Sequence, residues 1–272
     1  MSQKPKHPFH IVELSYWPIL TSFSLLALAL GSVMLLHEYA GGKPMAIIGL
    51  VTVIYCMVGW WKDVITEGRV GNHHTTAVRY GLRIGMTLFI LSEIMFFFAF
   101  FFSFFFASFF PAGILDGVWV VADGTWPPKG IQTFDPWNLP FMNTLILLLS
   151  GTTVTWAHHA IEHNDQKSSV TALGITVILG ISFSLLQAYE YHHAAFGLSD
   201  GVYAANFYLA TGFHGLHVII GTIFLAVCYF RAKKGHFNKG NGHLGFEFAA
   251  WYWHFVDVVW LFLFLFVYVL GR

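Results

Sequence analysis

Seven uninterrupted apolar stretches run through this chain, each long enough to cross the ~30 Å hydrocarbon of a bilayer as a helix of about 20 residues. They cover residues 18–36, 44–61, 81–110, 139–160, 170–191, 206–230 and 246–270. Backbone polar groups in hydrocarbon have no water to bond, so a spanning segment must satisfy them within itself or in a closed barrel. These runs are too long and too continuous for the alternating ~10-residue strands of a membrane barrel. The expected fold is therefore all-α integral membrane, one membrane domain over 1–272, with helices 1 and 2 at about 18–61 and helices 3 to 7 at about 81–270. Composition agrees, since only 10% of residues are charged, against about 25% in soluble domains. The balanced net charge offers no attraction to nucleic acid. Cys56 and Cys228 both sit inside apolar runs, which suits small buried side chains better than a disulfide or a thiolate metal site. The polar start, residues 1–15, shows no small-residue cleavage site, so the first run is expected to be a retained helix.

An odd number of spans puts the two termini on opposite sides. Eleven of the 14 Lys and Arg residues fall at the N-terminus and in the second, fourth and sixth connections, and three fall on the other side. By the positive-inside rule the N-terminus is expected in the cytoplasm and the C-terminus outside. Two connections are long, 62–80 and 111–138. Residues 96–110 carry eleven of the 29 phenylalanines. Within that wall Ala99, Ser103 and Ala107 recur every four positions, a stripe along which another helix could approach closely.

Charges inside spans are costly, about 2.5–3.5 kcal/mol on insertion scales, and so require a reason. Glu93 stands about 18 Å along the helix from Gly81, near mid-membrane. It suits a proton-relay carboxyl, a contact to a partner's polar site, or a neutral acid bonded within the bundle. His254 and Asp257 are three apart on the last span and share a face. They read either as a proton path or metal-orienting pair, or as a polar pair that holds helices together. Trp60, Trp61 and Lys62, then Glu67, His73, His74, Arg79 and Arg83, place indoles beside cations. That pattern is either a phospholipid headgroup cradle or ordinary positive-inside charge. A second basic group, Arg231, Lys233, Lys234 and His236, allows the same two readings.

Fifteen histidines raise the possibility of a histidine-box di-iron enzyme. Metal bonds near 2 Å demand convergence, however. The expected topology puts His73, His74, His158, His159, His163, His236 and His243 on one side and His192, His193, His214 and His217 toward the other. A transporter built on Glu93, Asp257 and Glu190 is a third class, but no inverted repeat with paired broken helices is visible.

Several motifs together resemble subunit III of the haem-copper cytochrome c oxidases along almost the whole chain. They are Trp60-Trp61-Lys62-Asp63-Val64, His73-His74-Thr75, Gly81-Leu82-Arg83 with Ser92-Glu93, Trp126-Pro127-Pro128-Lys129-Gly130 and Thr155-Trp156-Ala157-His158-His159. Two more are Ala210-Thr211-Gly212-Phe213-His214-Gly215-Leu216-His217 and Trp251-Tyr252-Trp253-His254-Phe255-Val256-Asp257. The resemblance implies seven helices, the first two separated from the other five by a V-shaped, lipid-filled cleft. It implies a non-redox subunit with no catalytic residue and no metal of its own. Haem a and copper would be held by partner subunits, with direct packing on subunit I and subunit II in the same complex. The implied role is to stabilise subunit I, bind phospholipids and support proton uptake. Glu93 matches the family's buried helix-three carboxyl. Trp61, Glu67, His74 and Arg83 match positions lining the lipid cleft, and Arg231, Lys234 and His236 match a further headgroup contact. Thr66 stands where many relatives carry arginine, and the stretch 113–124 is longer than a mitochondrial form would have, which points to a bacterial inner membrane. The related quinol-oxidase subunit usually lacks the first two helices, so cytochrome c is the expected donor.

Overall fold

The apolar runs fold as helices, and the helices outrun the hydrophobic stretches that announce them. The computed structural model describes residues 9–69, 74–112, 124–237 and 243–272. In chain order the helices are α1 Trp17–Leu36, α2 Gly42–Arg69, α3 Thr76–Phe109, α4 Leu139–Glu162, α5 Gln166–His192, α6 Val202–Lys233 and α7 Leu244–Phe262. Helix α7 runs on into a π-helical segment, Leu263–Val269. Seven helices, the last counted with its π-helical end, are long and apolar enough to cross a membrane, and no strand occurs among the described residues. The all-α, seven-span architecture expected from the sequence is the one adopted.

The largest differences from the expected boundaries lie on either side of the second connection. Residues 62–69, read as part of a long connection, continue α2 without a break. Lys62, Asp63, Glu67 and Arg69 end the apolar run but not the helix, because Lys, Glu and Arg have good helix propensity and extend a helix readily beyond hydrocarbon. Helix α3 likewise starts at Thr76, where the Val78 amide donates to the Thr75 hydroxyl at 3.4 Å. The expected connection thus shrinks to residues 70–75, of which 70–73, including His73, lie outside the described residues. Most of the 113–124 stretch does so too.

The chain divides into two compact units, Met1–Leu82 and Arg83–Arg272. In the first, α1 and α2 form an antiparallel hairpin. Among its buried positions, Trp17, Ser24 and Gly31 on α1 and Gly42, Gly49 and Cys56 on α2 recur every seven residues, with Val53 buried between the last two. That is the repeat of two helices kept in register along one seam. Glycine makes the approach possible. A Cβ on Gly49 would lie 2.5 Å from the Leu28 amide nitrogen, and Gly31 faces the Ala46 backbone. The Trp17 ring lies over Gly59, and its indole N–H donates to Asp63 Oδ2 at 2.6 Å. The start of α1 is thereby tied to the polar extension of α2.

In the second unit α4, α5, α6 and α7 enclose a core that includes Leu147, Leu173, Phe183, Phe207, Leu225, Trp253 and Trp260. The Trp253 indole donates to Ser150 Oγ and the Trp260 indole to Thr144 Oγ1, each at 2.9 Å. Asn143, Gln187, Glu190, Thr211 and His214 are buried, whereas Leu149, Ile178, Leu185, Ile219 and Ile223 are exposed. Polar groups inside and aliphatic groups outside is the arrangement that a hydrocarbon solvent selects. Outside the spans, Asp165 caps α5 by accepting the Ser168 amide at 3.0 Å and the Ser168 hydroxyl at 2.5 Å. Those bonds hold its carboxyl below the usual carboxylate range.

Helix α3 joins this core through ring packing. The small stripe Ala99, Ser103, Ala107 is not its seam, because Ala99 is exposed. The buried positions are Phe97, Phe104 and Ala107, with Phe100 half-buried between them. Phe96 meets Phe213 of α6 edge-on at 5.0 Å, and Phe105 meets Phe266 of the π-helical segment at 5.0 Å. Large rings fill the space that a small stripe would have closed, and aromatic edges and faces supply the contact. The Trp126 ring completes the packing, 5.2 Å from Phe104 and 5.3 Å from Tyr203.

Candidate functional site

The mid-span carboxyl has a partner that sequence reading did not name. Glu93 Oε2 lies 2.8 Å from His217 Nε2, joining the middle of α3 to α6. The other ring nitrogen, Nδ1, is 2.6 Å from the Phe213 carbonyl. A carbonyl only accepts, so Nδ1 carries a hydrogen and donates it. One further proton is then shared between Glu93 and Nε2: the pair is a neutral acid donating to imidazole, or an imidazolium donating to carboxylate. Rings of Phe97 at 4.9 Å and Tyr252 at 6.2 Å wall the imidazole. Glu93 keeps part of its side chain exposed, about a fifth (22%). Spacing alone could not reveal this pair, because 124 residues separate its members.

His254 and Asp257 do face each other, Nδ1 to Oδ2 at 3.6 Å, which is ion-pair range and too long for a hydrogen bond. Both reach toward α4. His254 Nε2 is 3.3 Å from Thr155 Oγ1, and a Cβ on Gly151 would stand 2.6 Å from Asp257 Oδ2. Gly151 therefore admits the carboxylate to the α4 surface. This geometry is that of a polar clasp between two helices.

A more deeply buried carboxyl belongs to Glu190, which from sequence suits only the transporter reading. Tyr268 OH donates to Glu190 Oε1 at 2.6 Å and Gln187 Nε2 donates to the same oxygen at 3.2 Å. Asn143 Nδ2 in turn donates to Gln187 Oε1 at 3.4 Å. The network links α4, α5 and the π-helical end. Gln187 and Glu190, three apart within a span, were the available signal. His214, fully buried, donates from Nε2 to the Val256 carbonyl at 3.2 Å and packs in a three-ring cluster with Phe183 and Trp260.

The positions matched to lipid contacts divide between the two units. In the first, Trp61 is exposed and Glu67 half-buried on the polar extension of α2, six residues apart and so on different faces. The His74 ring rests on Gly68, where a Cβ would come within 2.8 Å of it. In the second unit Arg83 makes a two-pronged bond to Glu247 of α7, Nε to Oε1 and Nη2 to Oε2, both at 2.9 Å. Spacing gives no sign of that fork, and from sequence Arg83 suits either a headgroup cradle or ordinary positive-inside charge. It keeps the guanidinium half-exposed (46%), in the geometry favoured for planar charge pairs. At the end of α6 the Arg231 guanidinium lies 4.7 Å over the Phe237 ring and reaches Gly245 of α7. Lys234 is exposed, and His236 is half-buried.

Three histidines bond a carbonyl one turn back, His217 that of Phe213 among them. His163 bonds the His159 carbonyl at 2.8 Å, and His193 bonds that of Tyr189 at 2.9 Å. One set among the described residues does converge: His158, Glu162 and His243 bring ligand atoms within 4.8 Å of one another.

Comparison with known proteins gives a consistent result. A family model described as Cytochrome c oxidase subunit III matches residues 7–272. The "Probable cytochrome c oxidase subunit 3" of Rickettsia bellii is 65% identical over 266 residues, covering 97% of this chain and 96% of that one. The "Cytochrome c oxidase subunit 3" of Prototheca wickerhamii is 55% identical, over 98% of each chain. That of Arabidopsis thaliana is 51% identical over 100% of this chain and 99% of its own.

Proposed function

Because the chain belongs to the cytochrome c oxidase subunit III family, it is a subunit of a respiratory oxidoreductase, and we propose that its own part in that complex is non-redox. In this reading it packs against subunit I, with subunit II in the same assembly, and partner subunits hold haem a and copper. It stabilises subunit I, binds phospholipid and supports proton uptake. The family match across nearly the whole length carries the proposal. Engagement of His214 and His217 with backbone carbonyls and Glu93 supports it, because those imidazoles serve helix packing. The setting is a bacterial inner membrane, with the N-terminus cytoplasmic and the C-terminus periplasmic, an orientation that the charge asymmetry supports. A haem-bearing partner should co-purify with the chain in mild detergent. Stoichiometric iron on this chain alone, with a visible spectrum of its own, would replace this reading with the di-iron enzyme.

The proposed phospholipid contacts are Trp61, Glu67, His74 and Arg83, with Arg231, Lys234 and His236 as a second group. Basic side chains beside interfacial indoles supply phosphate attraction and acyl-chain contact together. Replacing both His74 and Arg83 with Ala should lower the native lipid retained per complex, read by mass spectrometry, and shorten the turnover lifetime. Unchanged lipid mass and lifetime would remove the cradle from the proposal. Glu93 and Asp257 are assigned as proton-linked carboxyls, Glu93 through the proton it shares with His217.

A further inference from the structure

We propose that His158, Glu162 and His243 form a binding site for a Zn2+-class divalent cation, clasping the end of α4 to the start of α7. Two imidazoles and a carboxylate are a common Zn2+ donor set, with a fourth position left for water. The two rings come from segments 85 residues apart in sequence, so only the fold unites them.

The geometry needs little adjustment. For three atoms all within 4.8 Å of one another, a common centre lies no more than about 2.8 Å from each, so closing to bonds of about 2.0–2.1 Å takes at most roughly 0.7 Å of movement per ligand. His158 and Glu162 are one helical turn apart on the same face of α4, with Nε2 and Oε1 at 3.8 Å. The His158 ring is steadied by the Phe246 ring at 5.7 Å and stands 6.0 Å from that of His243. His243 is the residue at which α7 begins, and its carbonyl accepts from the Phe246 and Glu247 amides at 2.9 Å. Its backbone is thus fixed while its ring makes no capping bond. Glu162 is more exposed than His158, at about half (46%). Its second carboxyl oxygen lies 3.5 Å from His159 Nδ1, outside the proposed donor set. Water can reach the site, since about a third (32%) of the His158 side chain is exposed.

Soft nitrogen donors select Zn2+ and its neighbours over Mg2+ and Ca2+, which prefer oxygen. The test uses the purified intact oxidase complex and zinc chloride alone as probe. Zinc retained after gel filtration, counted by mass spectrometry, should fall by one equivalent per complex in His158→Ala and in His243→Ala. Glu162→Gln, an exposed and conservative change, should weaken that one site by at least about tenfold, as lost supporting groups already do. A large excess of Mg2+ should not displace the zinc. Anomalous density at the zinc edge in the wild-type complex should lie between α4 and α7, an observation independent of whether the Ala variants assemble. Zinc stoichiometry unchanged in His243→Ala would overturn the proposal. So would loss of that equivalent in His159→Ala or His163→Ala instead, because the exposed pair on α4 would then be the binder.

Discussion

Trp253→Ala should destabilise the helix bundle by about 3–5 kcal/mol, the range for deleting a fully buried aromatic side chain. Trp253 is wholly inaccessible and lies where α5, α6 and α7 meet. Its ring fills the space above two glycines: a Cβ on Gly180 or on Gly221 would each come within 2.8 Å of it. Its indole N–H also satisfies Ser150 Oγ. Truncation leaves a cavity flanked by backbone that cannot collapse onto it, together with a hydroxyl deprived of its donor. Trp253→Phe keeps most of the volume and should cost distinctly less, near the ~1 kcal/mol of a lost neutral hydrogen bond plus a small void. Thermal melting of the complex in detergent, following retention of this subunit, separates the two variants. Equal behaviour of Trp253→Ala and wild type would mean that the α5/α6/α7 junction contributes little to holding the bundle.

The same junction shows what was and was not legible beforehand. Span number, helix class and approximate span positions follow from hydropathy because each apolar run is local. The length of α2 does not, since hydropathy marks where hydrocarbon ends while helix propensity and headgroup-depth polarity decide where the helix ends. The α1–α2 seam was visible in principle as a seven-residue recurrence of Trp17, Ser24 and Gly31, and of Gly42, Gly49 and Cys56. For α3, four-residue spacing of Ala99, Ser103 and Ala107 suggested close backbone approach. Ring volume decided otherwise: Phe97, Phe100 and Phe104 face the core, and Ala99 is left outside. The motif residues Glu93, His217, His254 and Asp257 stood out as polar groups in apolar runs. Spacing pairs His254 with Asp257 on one helix face, but Glu93 with His217, Arg83 with Glu247 and His158 with His243 are joined only by the packing of helices distant in sequence. Asp257 against Gly151 is the clearest case, a glycine whose purpose is to admit a carboxylate from another helix.

Glu93→Gln should assemble and melt close to wild type, whereas Glu93→Ala should lose about 1–3 kcal/mol, the penalty for leaving a buried polar partner unsatisfied. The reasoning starts at His217, whose Nδ1–H is committed to the Phe213 carbonyl. Nε2 is then an acceptor if Glu93 is the neutral acid, and the Gln amide can donate to it in place of the acid proton. If instead the ground state is carboxylate and imidazolium, Gln removes the negative charge that balances the ring, and Glu93→Gln should be as damaging as Glu93→Ala. The two substitutions therefore report on where the shared proton rests. A double-mutant cycle with His217→Ala sharpens the result. The combined loss with Glu93→Ala should fall short of the sum of the single losses by about 0.5–3 kcal/mol, as for residues in direct contact. Additive losses would mean the 2.8 Å contact carries no energy of its own. Non-additivity together with a benign Glu93→Gln would identify a neutral pair, in which the proton sits on the carboxyl and is available to move to imidazole without either group leaving its partner.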